Sequence, residues 1–503
     1  MRWRLAVTTG AAAAMAWSVA AAQPHKPTPL ESRAAEAIAG VLRNDCAPAA
    51  ASLKSIYEDP GFGELNSHLR SAVLEGADVC EARLGHTEDA YTLSRRAIQE
   101  PDASALAWGL HIDLALNLSR PADARSALTA LARRSPAILA DIREETIMSA
   151  YAYAEGLPNA DSRRLELLDA LAKAGWAPKD PFNDAVGLRV DHIRLLLEAH
   201  RQGEAVEIAR SITDPATLIA LRVDERFAAV SADAKAMDIV EATRKALVAA
   251  VLLADKRKEW LSGPYRVALL RLRLGENEAA LRILQGALDR YRDFGPSAFV
   301  DADEQLRAVQ ALKAEALVRL GRLNEADGAY AEAAADAAGG DQGFEERLAY
   351  ASYLIDTDRS PLALELLHDT KTDGLTDNGK AYLAALRACA YAVIKDAPAM
   401  RRELDIVTAP ALPGYGALLN GLICAGDFDA AAKTYVERLK DPAKRIEVLL
   451  ALQHYKRPPT RGAEGKSWQD DYLRVQARPD VQAAIKAAGG HVETFDIFDP
   501  GTI

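Results

Sequence analysis

Three signatures of chemistry are missing from these 503 residues: there is no His-Glu-x-x-His, no Cys-x-x-Cys and no Gly-x-Ser-x-Gly. Their absence removes the two-histidine zinc peptidase, the paired-thiolate metal or redox site and the nucleophile elbow of the α/β-hydrolases. Positive charge is not in excess either. With 61 Lys and Arg against 72 Asp and Glu the net charge is −11, which argues against non-specific binding to nucleic acid. After the first apolar run, Arg, Glu or Asp interrupts every apolar stretch within a few residues. No segment therefore reads as a membrane helix, which needs about 20 apolar residues. Cysteine is scarce, at four residues.

What is present begins with MRWRLAVTTGAAAAMAWSVAAAQP, in which Arg2 and Arg4 precede an apolar run that closes on Ala20, Ala21 and Ala22. That is the pattern of a secretory signal peptide over residues 1–22, cleaved after Ala22. No cysteine stands near that point, which speaks against a lipid anchor. Residues 23–30 read as a flexible, Pro-rich leader. The expected location is the bacterial periplasm, with secretion as second choice. Such a compartment permits disulfides among Cys46, Cys80, Cys389 and Cys424. Four cysteines pair in three ways, and the sequence-near pairs Cys46–Cys80 and Cys389–Cys424 are favoured. For Cys389 and Cys424 the competing reading is that both pack as small apolar residues.

The stretch RLGENEAALRILQGAL, Arg273 to Leu288, returns as RLGRLNEADGAYAEAA, Arg319 to Ala334. From Gly275, Ala280, Leu284 and Ala287 follow at five, nine and twelve residues, one apolar stripe on a new helix. The same offsets give Ala326, Tyr330 and Ala333 from Gly321; Ala90, Ser94 and Ala97 from Gly85; and Ala431, Tyr435 and Arg438 from Gly426. From Ser119, in the glycine's place, they give Ala124, Leu128 and Leu131. Each copy reads as helix, tight turn and helix. Glycine ends the first helix in the left-handed conformation, and the alanine lets the two helices cross closely. Pro101, Pro136 and Pro442 should stop second helices. One hairpin cannot bury its own apolar face, so hairpins stack.

These residues resemble the tetratricopeptide repeat (TPR). Gly85 and Ser119 stand one 34-residue repeat apart, Trp108, Ala124 and Pro136 occupy motif positions, and GDFDAAAKTY (Gly426 to Tyr435) looks like the turn and second helix of the motif. Departures are the longer interval from Gly275 to Gly321, which holds DRYRDFGPSAFVDADEQ, and degenerate copies placed around Gly203 and Pro361. The resemblance implies an all-α, right-handed superhelical solenoid of stacked hairpins over residues 31–455, working through protein partners. Residues 456–503 should supply a loop, closing helices and a tail, HVETFDIFDPGTI, that covers the apolar end of the solenoid.

Candidate chemistry is thin. GAEGKS (Gly462 to Ser467) suggests a phosphate loop, but Thr460 stands where the first glycine is required and prolines replace the strand. His192 and His200 are eight apart, about 12 Å along a helix, too far for one zinc ion; they read as surface or groove residues. Asp356, Asp358 and Ser360 have calcium-loop spacing, but Leu367 stands where a bidentate Glu is needed. The carboxylate pairs at Glu144-Glu145 and Glu345-Glu346 read as solvated helix faces. LRVDERFAAV (Leu221 to Val230) and RPDVQAAI (Arg478 to Ile485) read as helix starts capped by Asp. Tyr151, Tyr153, Trp176, Tyr265 and Tyr382 are candidates for a concave groove, although aromatics at helical spacing more often fill a core.

The sequence therefore points to a non-catalytic periplasmic scaffold that holds a protein or peptide in its groove, with no cofactor, no metal and no catalytic residue assigned. The alternative is a glycan-handling enzyme, or its accessory subunit, built on a helical superhelix. That alternative lacks room, because a lysozyme-like domain does not fit after Tyr455.

Overall fold

The structure, a computed structural model, describes residues 27–152, 160–183, 185–232, 238–335, 343–370, 372, 375–408, 415–442, 444–458 and 462–499. The signal-peptide reading, most of the leader and Tyr153 lie outside them. The described residues fall into two compact units, one through Leu188 and one from Arg189.

In the first unit the helices are α1 (Pro29–Leu42), α2 (Cys46–Tyr57), α3 (Ser67–Arg83), α4 (Thr87–Ala97), α5 (Ala105–Asn117), α6 (Pro121–Arg134), α7 (Pro136–Leu139), α8 (Glu144–Ala152) and α9 (Ala160–Lys173). The second unit begins within α10 (Val186–Glu198) and continues through α11 (Gln202–Arg210), α12 (Pro215–Val223), α13 (Ile239–Lys256), α14 (Ser262–Arg273) and α15 (Asn277–Phe294). Next come α16 (Ala302–Arg319), α17 (Leu323–Ala335), α18 (Phe344–Asp356), α19 (Ser360–His368), α20 (Asp377–Val393) and α21 (Ala397–Val407). The unit closes with α22 (Tyr415–Cys424), α23 (Phe428–Lys440), α24 (Arg445–Ala451), strand β1 (His454–Lys456), α25 (Ala463–Gln476), α26 (Pro479–Ala487) and strand β2 (Thr494–Phe498). The fold is an all-α helical-repeat fold with one short parallel strand pair, β1 with β2.

One local device repeats. Gly85, Gly275, Gly321 and Gly426 sit at φ between 73° and 85°, and Ser119 at 56°. At each, the turn residue's N–H donates to the carbonyl three residues back and the next N–H to the carbonyl five back, as in Gly275 to Leu272 and Glu276 to Arg271. This bond pair satisfies carbonyls that the helix end would leave open. Four further turns are built identically with other residues: Asn44, His200, Asp358 and Lys395, at φ between 60° and 63°. The degenerate copies around Gly203 and Pro361 are thus full hairpins. His200 turns the chain from α10 to α11, and Asp358 turns it from α18 to α19. His200 consequently leaves the helix that carries His192.

The alanine five residues after the turn is Ala49, Ala90, Ala124, Ala205, Ala280, Ala326, Ala363 or Ala431, each at most 4 % exposed. A larger side chain there would push the two helices apart. After Lys395 the position holds Met400, and Ala399 beside it is the buried alanine. Pro136 does not simply stop a helix: Ser135 ends α6, and Pro136 is the first residue of α7, where its missing N–H costs nothing. The long interval before Gly321 lengthens α15 and α16 to 18 residues each. Asp301 there reaches back to accept the Leu261 and Ser262 N–H groups at 2.6 and 2.9 Å, capping α14 from the following repeat.

Turn chemistry and stability can be separated at Gly426. A Cβ there would meet nothing within 4 Å, so Gly426→Ala should cost only the left-handed strain, about 1 kcal/mol. Lys395→Gly should gain a similar amount for the same reason. Urea midpoints of the two variants moving in the same direction would contradict this account.

Candidate functional site: a hollow filled by its own chain

Within the second unit α12 packs against α24, so an early helix of the array meets the last. The Arg226 guanidinium donates to the Pro442 carbonyl at 2.6 Å, and Arg445 to the Ala488 carbonyl at 2.8 Å. The chain after Lys456 fills the space this closure leaves. α25 lies on α18, α22 and α23, and β2 lies on α13 and α14. The tail, expected to cover the apolar end of the solenoid, lies along β1, α13 and α14.

The two motifs set aside for phosphate and calcium meet each other here. Asp358, the left-handed turn residue, accepts the Ala463 N–H at 3.1 Å at the start of α25, a carboxylate placed on a helix N-terminus. A Cβ on Gly462 would stand 2.6 Å from Asp358 Oδ1, and one on Gly465 would stand 2.9 Å from the Asp356 carbonyl oxygen. The glycines of GAEGKS are therefore needed for close approach of α25 to the α18–α19 turn. Ser360, the third residue of the calcium-like spacing, begins α19 and is buried.

Aromatic side chains line the contact with α25. Tyr472 donates to Asn420 Oδ1 of α22 at 3.4 Å and stands edge-on to Trp468 at 5.8 Å. Tyr415 and Tyr435 meet edge-on at 6.3 Å. Burial pushes the hydroxyl pKa of Tyr415, Tyr435 and Tyr472 far above that of free tyrosine, so all three are neutral at any physiological pH. Of the five aromatics proposed from sequence, Tyr382 of α20 adjoins this contact: a Cβ on Gly416 of α22 would collide with its hydroxyl, and it acts electrostatically on Tyr472. Tyr151 is core, its hydroxyl taking a bond from Arg164 at 2.8 Å, and Trp176 follows the left-handed Gly175 in the first unit. Tyr265 packs against the cluster built by α14 to α18. Tyr472, Trp468 and Tyr415 carried no sequence signal, because their partners are remote in the chain.

The β2 segment is read by arginines. Arg222 pairs with Glu493 and lies 5.5 Å from the centroid of the Phe495 ring. Arg319 lies 4.9 Å from the centroid of the Phe498 ring. Phe495 stacks on Tyr455 at 5.9 Å, and Phe495 and Ile497 are buried. Beside them Asp214 caps α12 and binds Arg266 at 3.0 Å, with Arg273 at 3.7 Å. Those two guanidinium groups and the Thr217 N–H hold the Asp214 carboxyl below the usual range despite its burial.

Carboxylate pairs occur at adjacent letters and elsewhere. Glu144 and Glu145, and Glu345 and Glu346, occupy first turns of α8 and α18, and burial with the Glu345 charge raises the Glu346 carboxyl. Two further pairs interact, Glu75 with Asp78 in the first unit and Glu315 with Asp356 in the second. Asp78 is fully buried; burial, with Glu75 nearby, drives its pKa well up. Burial and the Glu315 charge push Asp356 up to about 7, while Glu315 is held by Arg319 at 2.7 Å. Among the described residues Glu81, His86 and Asp89 bring potential ligand atoms within 4.8 Å of one another beside the Gly85 turn. There His86 Nδ1 lies 2.6 Å from Glu81 Oε2, at hydrogen-bond distance.

The structure pairs Cys46 with Cys80, Cα atoms 4.9 Å apart, and Cys389 with Cys424, 5.0 Å apart. The first ties α2 to α3, and the second ties α20 to α22. Asp224 of LRVDERFAAV accepts the Arg226 N–H at 3.0 Å and caps a three-residue 3-10 turn. RPDVQAAI opens α26 with Pro479 first and Asp480 in the first turn. Among the described residues no helix is long and apolar enough to cross a membrane.

No protein-family model matches the chain, and no curated protein matches it. Among solved structures it is similar to the APC/C hetero-tetramer Cut9–Hcn1, at 14 % identity over 91 % of this chain and 90 % of that one, with a TM-score of 0.29. It is similar also to Tom70 of yeast, at 11 % identity over 91 % of this chain and 99 % of that one, with a TM-score of 0.28. Likeness at this level carries no argument, and the helical-repeat assignment stands on the repeated turns and crossings.

Asp356 gives a pH test. Its folded pKa lies above the 3.8 of the free group, so its contribution is fully present below about pH 4 and is lost as pH rises to about 7. Asp356→Asn removes that loss. The variant should melt a few degrees above the parent at pH 8 and close to it at pH 4.5; an equal offset at both values would refute the assignment.

Proposed function

We propose that the chain is a non-catalytic, TPR-like adaptor of the bacterial cell envelope that binds an extended segment of a protein partner. The single observation that carries this reading is the hollow of the second unit, where helices hold an extended stretch, Glu493 to Phe498, through arginines and aromatic rings. A surface that grips one extended segment through alternate side chains has the form of a peptide-binding site. No reacting group is required for that work.

The periplasmic placement is supported by the segment MRWRLAVTTGAAAAMAWSVAAAQP and by two cysteine pairs at disulfide distance, which an oxidising compartment would keep closed. The glycan-enzyme reading draws support only from Glu315 and Asp356, and that pair adjoins the first turn of α25, where a Cβ on Gly465 would be 3.5 Å from Asp356 Cβ.

Crosslinking of the chain in intact bacteria, followed by mass spectrometry, tests the adaptor reading. It should return one recurrent envelope protein joined to residues of the second unit; links scattered over unrelated proteins would remove the reading. A clearing band for the purified chain on cell-wall material would favour the enzyme instead. The disulfides can be tested separately. Each closes a loop of roughly 35 residues, so Cys46→Ser or Cys389→Ser should cost about 3–4 kcal/mol of oxidised stability and nothing under reducing conditions.

A further inference from the structure

Residues 489–499 bind differently from the repeats around them. The segment enters through Gly489, at φ 70°, and Gly490, then runs extended. It is held by a short parallel ladder to His454–Lys456 and by the His491 N–H on the Val223 carbonyl at 3.2 Å. Its side chains alternate. Thr494 and Asp496 are exposed, while Phe495 and Ile497 are buried. Three of its side chains are acidic, Glu493, Asp496 and Asp499, and it carries no Lys or Arg. The surface that receives it is basic at matching points. Arg222 takes Glu493 and the Phe495 ring, Arg319 takes the Phe498 ring, and Asp499 lies within electrostatic reach of Arg273. Gly275 completes the pocket for Phe498, since a Cβ there would stand 3.1 Å from the ring.

We propose that this strip of the second unit is a docking site for an extended acidic segment of a partner protein with aromatic residues three apart, and that Glu493 to Asp499 occupy it in cis as a stand-in. The proposal rests on the adaptor reading and gives its partner a chemistry. Three features support it. Charge is complementary along the whole contact. Recognition is made by separate side-chain pockets in addition to the short backbone ladder. The chain is anchored ahead of the segment, where the Gly489 carbonyl accepts the Glu225 N–H at 2.8 Å, so the residues beyond Gly490 can leave the strip while α26 stays in place. An attached segment is present at an effective concentration of about millimolar. A free peptide of equal intrinsic affinity therefore meets strong competition until the internal copy is weakened.

The test uses the full chain throughout. Hydrogen exchange of the unmodified protein should show the amides of residues 491–498 opening at least about 100-fold faster than those of α16 and α22; exchange at the same rate would mean that the segment leaves only on global unfolding, which overturns the proposal. A fluorescent peptide spanning residues 488–503 should bind the Phe495→Ala/Phe498→Ala chain at least about tenfold tighter than the unmodified chain. If that variant fails to fold by circular dichroism, Glu493→Gln/Phe498→Ala, which touches only half-buried side chains, serves instead. Adding Arg222→Glu should abolish peptide binding, and an E493R peptide should restore it, a rescue that a merely structural Arg222 would not give. A folded, weakened chain that binds no peptide also overturns the proposal. The two readings fail separately. Peptide binding without any crosslinked envelope partner removes the adaptor reading alone. A partner captured undiminished by the Arg222→Glu chain removes the docking strip alone.

Discussion

Close crossing of two helices, permitted by a buried alanine and fixed by a left-handed residue four or five positions earlier, sets the hairpins at nine turns among the described residues. The turn delivers the second helix at one angle, and the alanine lets it approach until larger neighbours such as Leu128, Leu284 and Tyr435 face outward to the next hairpin. Because that geometry is local, it repeats without a shared sequence beyond a few positions. Irregular additions then attach to it. Asp301 caps a helix of the preceding repeat, and Asp358 caps α25 from a point more than a hundred residues earlier.

Legibility followed the residue types whose conformational preference is strong. Glycine at 85, 275, 321 and 426 announces a left-handed turn because nothing else adopts it cheaply, and the alanine stripe follows at fixed offsets. Asn44, His200, Asp358 and Lys395 occupy the same conformation at a cost of roughly 1–2 kcal/mol each, offset by packing that no local window contains. The two copies around Gly203 and Pro361 therefore read as degenerate, with no glycine to mark their turns. The hollow was invisible for a related reason. Asp358 and Ala463, or Arg222 and Glu493, are brought together only by the closure of the second unit, and each alone reads as an ordinary surface residue. The glycines of GAEGKS were informative, but about close approach to another backbone and not about phosphate.

The buried ionisable groups of the second unit divide by whether an opposite charge is supplied. Asp214 sits deep with Arg266 and Arg273 beside it and stays ionised. Asp356 has only Glu315 as a close charged neighbour, itself committed to Arg319, and its proton is retained to about pH 7. Removing both arginines from beside Asp214 would strand a buried charge, whereas the proton on Asp356 already relieves that cost. The first group fixes α12 against α14. The second makes the seat of α25 sensitive to pH.

A segment that serves as both core and stand-in ligand has to be held neither too firmly nor too loosely. Burying Phe495 and Ile497 favours docking and ordering the backbone of the segment opposes it, so the net docking free energy sets how often the strip stands open. At about 3 kcal/mol the strip would stand open roughly 1 % of the time, and a partner with an intrinsic Kd of about 0.1 μM would then bind with an apparent Kd near 10 μM. That is a usable range for a reversible adaptor. It also places control in the segment: any change that weakens the contact of Glu493 with Arg222 or of Phe498 with Arg319 would tighten the partner by the same factor, with no new contact made.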